Sequence, residues 1–266
     1  VVQIMGYGGK DESWLIDRFN IKYSDRRDEH NKQKLVKPHT YEEDWDLLTD
    51  DVLRRTYPLA DESGRTMAIS AMACDSGGLK DKNKGSTVTG HAYAYYRRLK
   101  ETKEHLKLAL VKGRSTGKEK VELRYPDASS NKKKDKKYVS KGDVPVYFLQ
   151  VNALKDMVYN NMNRTEPGPG YMHFPNWIKS FFFNELCAEI RKTTGWANPT
   201  GKRNESFDLY CYGEGLKLAL STNQIDWDNP PSWAAEWDSN INVSEVETKY
   251  EAKKKSLSEI MKDLNG

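Results

Sequence analysis

Two acidic residues stand at positions where side-chain type and local pattern together suggest chemistry. Asp75 ends the apolar run Met67-Ala68-Ile69-Ser70-Ala71-Met72-Ala73-Cys74 and is followed by Ser76-Gly77-Gly78. In open α/β sheets ligands bind beyond the carboxyl ends of strands, which is the place for a metal-binding carboxylate. An Asp before Ser-Gly-Gly also serves as an ordinary turn or helix-cap residue. The second acid lies in Lys202-Arg203-Asn204-Glu205-Ser206-Phe207-Asp208. On a helix Asn204 is beside Asp208 at i, i+4, and Glu205 is beside it at i, i+3. Capping and the helix dipole account for Asn204 and Glu205. They account poorly for Asp208, beyond which the sequence turns apolar toward Leu220.

Phosphate is the second chemical theme. Lys112 follows the strand-like Leu108-Ala109-Leu110-Val111 and is in a position to reach a phosphate, with Arg114 to assist. A lysine there is ordinarily just surface. Gly113-Arg114-Ser115-Thr116-Gly117-Lys118-Glu119 has the wrong glycine spacing for a phosphate loop and no Ser or Thr after the lysine to hold magnesium, so no ATP site is legible. His173, before Phe174-Pro175, fits a hydrogen-bonded structural role. Residues 97–141 hold 16 Lys/Arg and 6 Asp/Glu, a net of +10, and include Lys132, Lys133, Lys134, Lys136 and Lys137. The rest of the chain, with 27 basic and 33 acidic residues, carries −6. A polyanion against such a segment gains by counterion release, independently of base sequence. A solvated surface loop is the plain alternative.

The elements that must position these groups follow from periodicity and punctuation. Residues 1–5 and 13–23 read as a β-hairpin around Gly6, Gly8 and Gly9. Helical spacing over 45–57 stops at Pro58; 67–74 reads as one buried strand, 88–99 as a helix and 106–111 as a strand closed by Lys112-Gly113. After a lysine-rich insertion over 113–143 come a strand at 144–151, a helix at 153–162, a short strand at 171–174, and helices at 178–191 and 204–220. The order is that of an α/β sheet. From Asn223 the chain contains Trp and Pro and then becomes charged and helix-favouring over 243–264, so 1–222 reads as one domain and 223–266 as a tail.

Composition sets the outer bounds. The 266 residues carry a net charge of +4, and their mean hydropathy is −0.86, yet 7 Trp, 15 Tyr and 7 Phe supply the core material that disordered chains lack. No run approaches the roughly 20 apolar residues of a spanning helix, and no signal-peptide pattern opens the chain, which argues against membrane insertion and secretion. Cys74, Cys187 and Cys211 are odd in number and lack CxxC spacing, which argues against a disulfide framework or structural zinc and suits a reducing cytoplasm.

Several segments, taken in order, resemble the nuclease portion of the large terminase subunit of lambda-like tailed bacteriophages. They are Met5-Gly6-Tyr7-Gly8 with Glu12-Ser13-Trp14-Leu15-Ile16-Asp17, Cys74-Asp75-Ser76-Gly77-Gly78, Val111-Lys112-Gly113, Pro169-Gly170-Tyr171-Met172-His173-Phe174-Pro175, and Arg203-Asn204-Glu205-Ser206-Phe207-Asp208. The resemblance covers about residues 1–220. It implies a ribonuclease-H-like mixed sheet flanked by helices, and a metal-dependent endonuclease that cuts concatemeric viral DNA during genome packaging. Asp75 and Asp208 match metal-ligand positions, with Glu205 as a neighbour, for two Mg²⁺ or Mn²⁺ ions; Lys112 matches the family's lysine after the third strand. Lys112, Arg114, Arg203 and the lysines at 132, 133, 134, 136 and 137 would bind double-stranded DNA. The portal protein and the small terminase subunit are the implied partners, and the host cytoplasm the implied location. The family's first catalytic aspartate lies on a strand ahead of the matched region, so one ligand is expected to be missing from this chain. That departure keeps open a non-catalytic DNA-binding or packaging-assembly module.

Overall fold

The alternation over residues 1–23 does build a hairpin: β1 (Val2–Tyr7) pairs antiparallel with β2 (Ser13–Phe19), Val2 facing Phe19 and Tyr7 facing Ser13. The structure is a computed structural model that describes residues 1–78, 87–126 and 142–245. A second hairpin, β3 (Tyr23–Arg27) with β4 (Gln33–Leu35), is pinned by Asp44, whose carboxylate accepts from Ser24, Arg26 and the Lys37 amide. The helix expected over 45–57 is instead two short turns, Glu43–Trp45 and Thr49–Leu53, and the chain is already extended as β5 (Thr56–Pro58). Trp45, Val52 and Leu53 are buried from these turns, so their apolar spacing reports a buried face without a continuous helix.

The run 67–74 is not one strand. It divides into β6 (Thr66–Ala68) and β7 (Met72–Asp75), which belong to different sheets. The divide falls at Ser70, exposed between the two half-buried to buried pieces; one polar residue in an otherwise apolar run does not reveal a change of sheet. After β7 come α1 (Val88–Arg98), capped by Thr87 Oγ1 accepting from the Gly90 amide, and β8 (Leu108–Arg114). β8 runs three residues beyond the expected end, which puts Lys112 inside the strand, opposite Phe148. Then follow β9 (Val121–Arg124), β10 (Val146–Gln150), α2 (Val151–Met162), β11 (Met172–His173) and α3 (Ser180–Leu186). The helix expected over 178–191 stops at Leu186. The chain turns at Gly195, whose φ of +129° suits only glycine, and forms the hairpin β12 (Ile190–Lys192) with β13 (Gly195–Ala197). The last helix is α4 (Glu205–Ala219). Val243–Ser244, expected at the start of a helical tail, is a strand, β14, on β6. The remainder of that expected helix, from residue 246, lies outside the described residues.

The result is a mixed α/β fold. Its main sheet has the order β7-β8-β10-β9, with β7, β8 and β10 mutually parallel and β9 antiparallel; a second sheet has the order β1-β2-β11. Alternate residues feed two cores. Ile4, Met72, Leu108, Leu110 and Val146 join Tyr93, Tyr95 and Tyr96 of α1, while Val111 and Leu149 join Leu154, Phe182, Phe207 and Tyr210 of α2, α3 and α4. Met5 and Ala73 pack on the second core, so β1 and β7 both present one face to each core. α4 packs across β1, β7 and β10 together. Glycine permits that closeness: a Cβ on Gly213 would stand 2.4 Å from Tyr7 Oη, and one on Gly215 would stand 2.7 Å from Leu149.

Candidate active site

Asp75 is the last residue of β7, exposed at its carboxyl end and opposite Val111 of the parallel neighbour. Its Oδ1 accepts from the Gly77 amide at 2.8 Å, so it makes the Asx turn its Ser-Gly-Gly context suggests. Its Oδ2 accepts from the Tyr212 hydroxyl at 3.1 Å. The acid therefore has a turn role and, on its other oxygen, a tie to α4.

Asp208 and Tyr212 are one turn apart on α4, at i, i+4, and so share a face. Asp208 is the more enclosed of the two acids. Its Oδ1 is 2.9 Å from Lys155 Nζ and its Oδ2 accepts from Asn204 Nδ2 at 3.1 Å. Burial raises the Asp208 pKa above its ordinary value; Lys155 opposes the rise, and the charges of Glu189 and Asp75 add to it. Burial, with the charges of Asp75 and Asp208, likewise pushes the Tyr212 phenol upward. Asp75 thus bonds to a tyrosine that shares a helix face with Asp208, although Asp208 itself does not line the cleft that Asp75 borders.

Asp75, Gly77, Thr89, Lys112, Gly113 and Tyr212 line an open cleft of about 540 Å³. Lys112 Nζ donates to Thr89 Oγ1 at 3.2 Å, and Thr89 donates to the carbonyl of Ser76 at 2.7 Å. Partial burial lowers the Lys112 pKa, with the charge of Asp75 working against the fall. A partly buried ammonium in the cleft that the strand-end acid also borders is placed to meet an anion entering it.

The other sequence-selected residues fall elsewhere. Glu205 accepts from Arg203 Nε at 3.0 Å and 3.1 Å; burial pushes its pKa up, but the Arg203 bond, a backbone hydrogen bond and the charges of Arg203 and Arg18 together leave it lowered. The acid that shares partners with Asp208 is Glu189, not Glu205. Arg203 also lies 3.4 Å from Glu185. Arg114 pairs with Glu122 and donates to the carbonyl of Glu119. Lys132, Lys133, Lys134, Lys136 and Lys137 lie outside the described residues. His173 is 2.6 Å from Glu12 and stacks on Trp14 with ring centroids 4.7 Å apart, away from the cleft lining.

Tyr212, Lys155 and Glu189 were not singled out in the sequence. Tyr212 carries a usable signal, being four residues past Asp208. Lys155 carries a weaker one, a lysine on the buried face that also presents Leu154 and Val158. Glu189 carries none, because it lies in the irregular stretch between α3 and β12.

Residues 1–227 match the family described as terminase large subunit gpA, endonuclease domain. The chain is 28% identical over 246 residues to the terminase large subunit of Escherichia phage lambda, an alignment covering 85% of this chain and 31% of that protein. This chain thus spans well under half of that relative's length. No solved structure matches it. The family match takes in Asp75, Lys112 and Asp208 together with the elements that carry them, and the chain belongs to the terminase large subunit gpA endonuclease domain family.

Proposed function

We propose that the chain is a metal-dependent endonuclease domain of ribonuclease-H-like architecture that cuts concatemeric viral DNA during genome packaging. The observation that carries this reading is the hydrogen bond between β7 and α4, in which Asp75 accepts from Tyr212 one helical turn from Asp208, with Lys112 in the same cleft as Asp75. Their donor chemistry fits Mg²⁺ or Mn²⁺: both are hard carboxylate oxygens, and Mg²⁺ is held by one or two carboxylates plus phosphate oxygens and water in preference to a full protein cage. Bound there, two such ions would polarise the phosphodiester and acidify the attacking water.

The chain's own residues do the rest. Tyr212 fixes the Asp75 carboxylate, and Asn204 with Lys155 fixes that of Asp208. Lys112 offsets charge that builds on the phosphate oxygens. The basic segment over 97–141 holds double-stranded DNA by its backbone and reads no bases. The portal protein and the small terminase subunit are the proposed partners, and the host cytoplasm the place of action.

Asp75→Asn and Asp208→Asn should each abolish metal-dependent nicking of supercoiled DNA and leave the circular dichroism spectrum unchanged. Normal nicking by either variant would overturn the assignment. One observation favours a second reading, a non-catalytic DNA-binding platform: among the described residues no group of three or more His, Cys, Asp or Glu is arranged so as to hold a metal ion. Metal titration separates the two, since the enzyme should show two coupled divalent sites and the platform at most one weak site.

A further inference from the structure

Lys155 and Glu189 form a built-in ionic unit directly behind Asp208. Lys155 Nζ, from α2, lies 2.6 Å from Glu189 Oε1 and 2.9 Å from Asp208 Oδ1. Asn204 Nδ2 donates to the same pair of carboxylates, at 2.5 Å to Glu189 and 3.1 Å to Asp208. The Lys155 ring partner is Phe207, 5.2 Å from the ammonium to the centroid. One ammonium and one amide are therefore shared by two acids from different parts of the chain.

The two acids are not equivalent. The side chain of Glu189 is 5% exposed and that of Lys155 9%, whereas Asp208 keeps 36%. Without the ammonium, two carboxylates would face each other across a mostly closed space, an arrangement that hard divalent cations fill readily. The cation would then settle between Glu189 and Asp208.

We infer that Lys155 is a positioning residue: standing between Glu189 and Asp208, it occupies the inner cation place and leaves Asp208 to share a divalent ion with Asp75. This rests on the metal reading above. It goes further by assigning Lys155 and Glu189 the task of deciding where the ion sits. Neither residue would touch DNA or the metal.

The test is Mn²⁺ binding to the 266-residue chain, read as free Mn²⁺ by electron paramagnetic resonance, with folding followed by circular dichroism. In the parent chain Asp75→Asn should weaken binding about tenfold or more, in line with loss of a ligand or its close support. In Lys155→Met the same Asp75→Asn change should cost less than about twofold, because the ion has moved inward and the two sites no longer couple. Lys155→Arg should restore the dependence on Asp75. A folded Lys155→Met chain that keeps the full sensitivity to Asp75→Asn overturns the inference.

Glu189→Gln covers the case in which Lys155→Met does not fold. It leaves the ammonium to Asp208 alone, so Mn²⁺ binding should weaken about tenfold although Glu189 is not a ligand. Unchanged affinity in that variant also overturns the inference. Failure of the parent chain to bind Mn²⁺, or its indifference to Asp75→Asn, would instead sink the metal reading and the inference with it.

Discussion

Tyr212 donates a 3.1 Å hydrogen bond to Asp75 across 137 positions of sequence, joining the end of β7 to the middle of α4. The bond leaves the other Asp75 oxygen to the Gly77 amide. Tyr212→Phe removes only the hydroxyl, so the fold should lose no more than about 1 kcal/mol. Nicking in Mn²⁺ should slow by about tenfold, as expected when an orienting partner of a ligand is lost. Denaturant melts and single-turnover nicking of supercoiled plasmid give both numbers, and an unchanged rate would show that Asp75 is oriented by other groups.

Lys112 acts on charge that develops at the phosphate, so its effect belongs to the rate. Lys112→Ala is expected to slow cleavage by about 10²- to 10³-fold, the scale of removing one fixed donor to a developing anion. Binding of uncleaved duplex should change only slightly. Fluorescence anisotropy with a labelled duplex, run beside a cleavage assay, tests the split; a parallel loss of affinity and rate would make Lys112 a simple DNA contact.

Lys132, Lys133, Lys134, Lys136 and Lys137 should contribute through the phosphate backbone alone. Replacing all five with Ala is expected to flatten the plot of log affinity against log salt by about 0.9 for each lysine that meets a phosphate. Preference among duplexes of different sequence should stay the same. Anisotropy titrations across a range of salt concentrations decide it, and an unaltered slope would mark the segment as a solvated loop.

Asp44 tests the support of the fold far from the cleft. Its side chain is fully enclosed and pairs with Arg26 at 2.7 Å. Burial works to raise the Asp44 pKa, but hydrogen bonds from Arg26, the Lys37 amide and Ser24 overcome it and leave the value below its ordinary 3.8. A carboxyl whose folded pKa is depressed stabilises the fold above the unfolded value and loses that contribution as pH falls through the folded one. Asp44→Asn should therefore cost about 3 kcal/mol at neutral pH. The gap from the parent should narrow below about pH 3.8. Urea melts at pH 7 and pH 3 give both values.

Asp75 and Asp208 were legible in the sequence because each stands at a boundary, one where an apolar run meets Ser-Gly-Gly and one at the opening turn of a long apolar helix. Their meeting was not legible, since it depends on Tyr212 and on α4 lying close enough to the sheet for Gly213 and Gly215 to matter. The division of β6 from β7 was hidden for a related reason: apolar periodicity reports which residues are buried, not which sheet buries them. Helical spacing placed Glu205 next to Asp208, yet Arg203 takes up its charge, and Glu189 reaches the site from an irregular stretch that no period describes. Local spacing fixes neighbours on one element. Partners from other elements come only with the packing.

The Val243–Ser244 strand is held to β6 by two residue pairs, Val243 with Met67 and Ser244 with Thr66, with the Ala68 amide donating to Asn242 just before them. Peeling it away would break only a few hydrogen bonds, each worth about 1 kcal/mol net. β7 would keep its whole ladder to β8, because β6 and β7 are in separate sheets. A load applied to the chain beyond Glu245 would therefore be relieved at this small clasp before it could disturb Asp75.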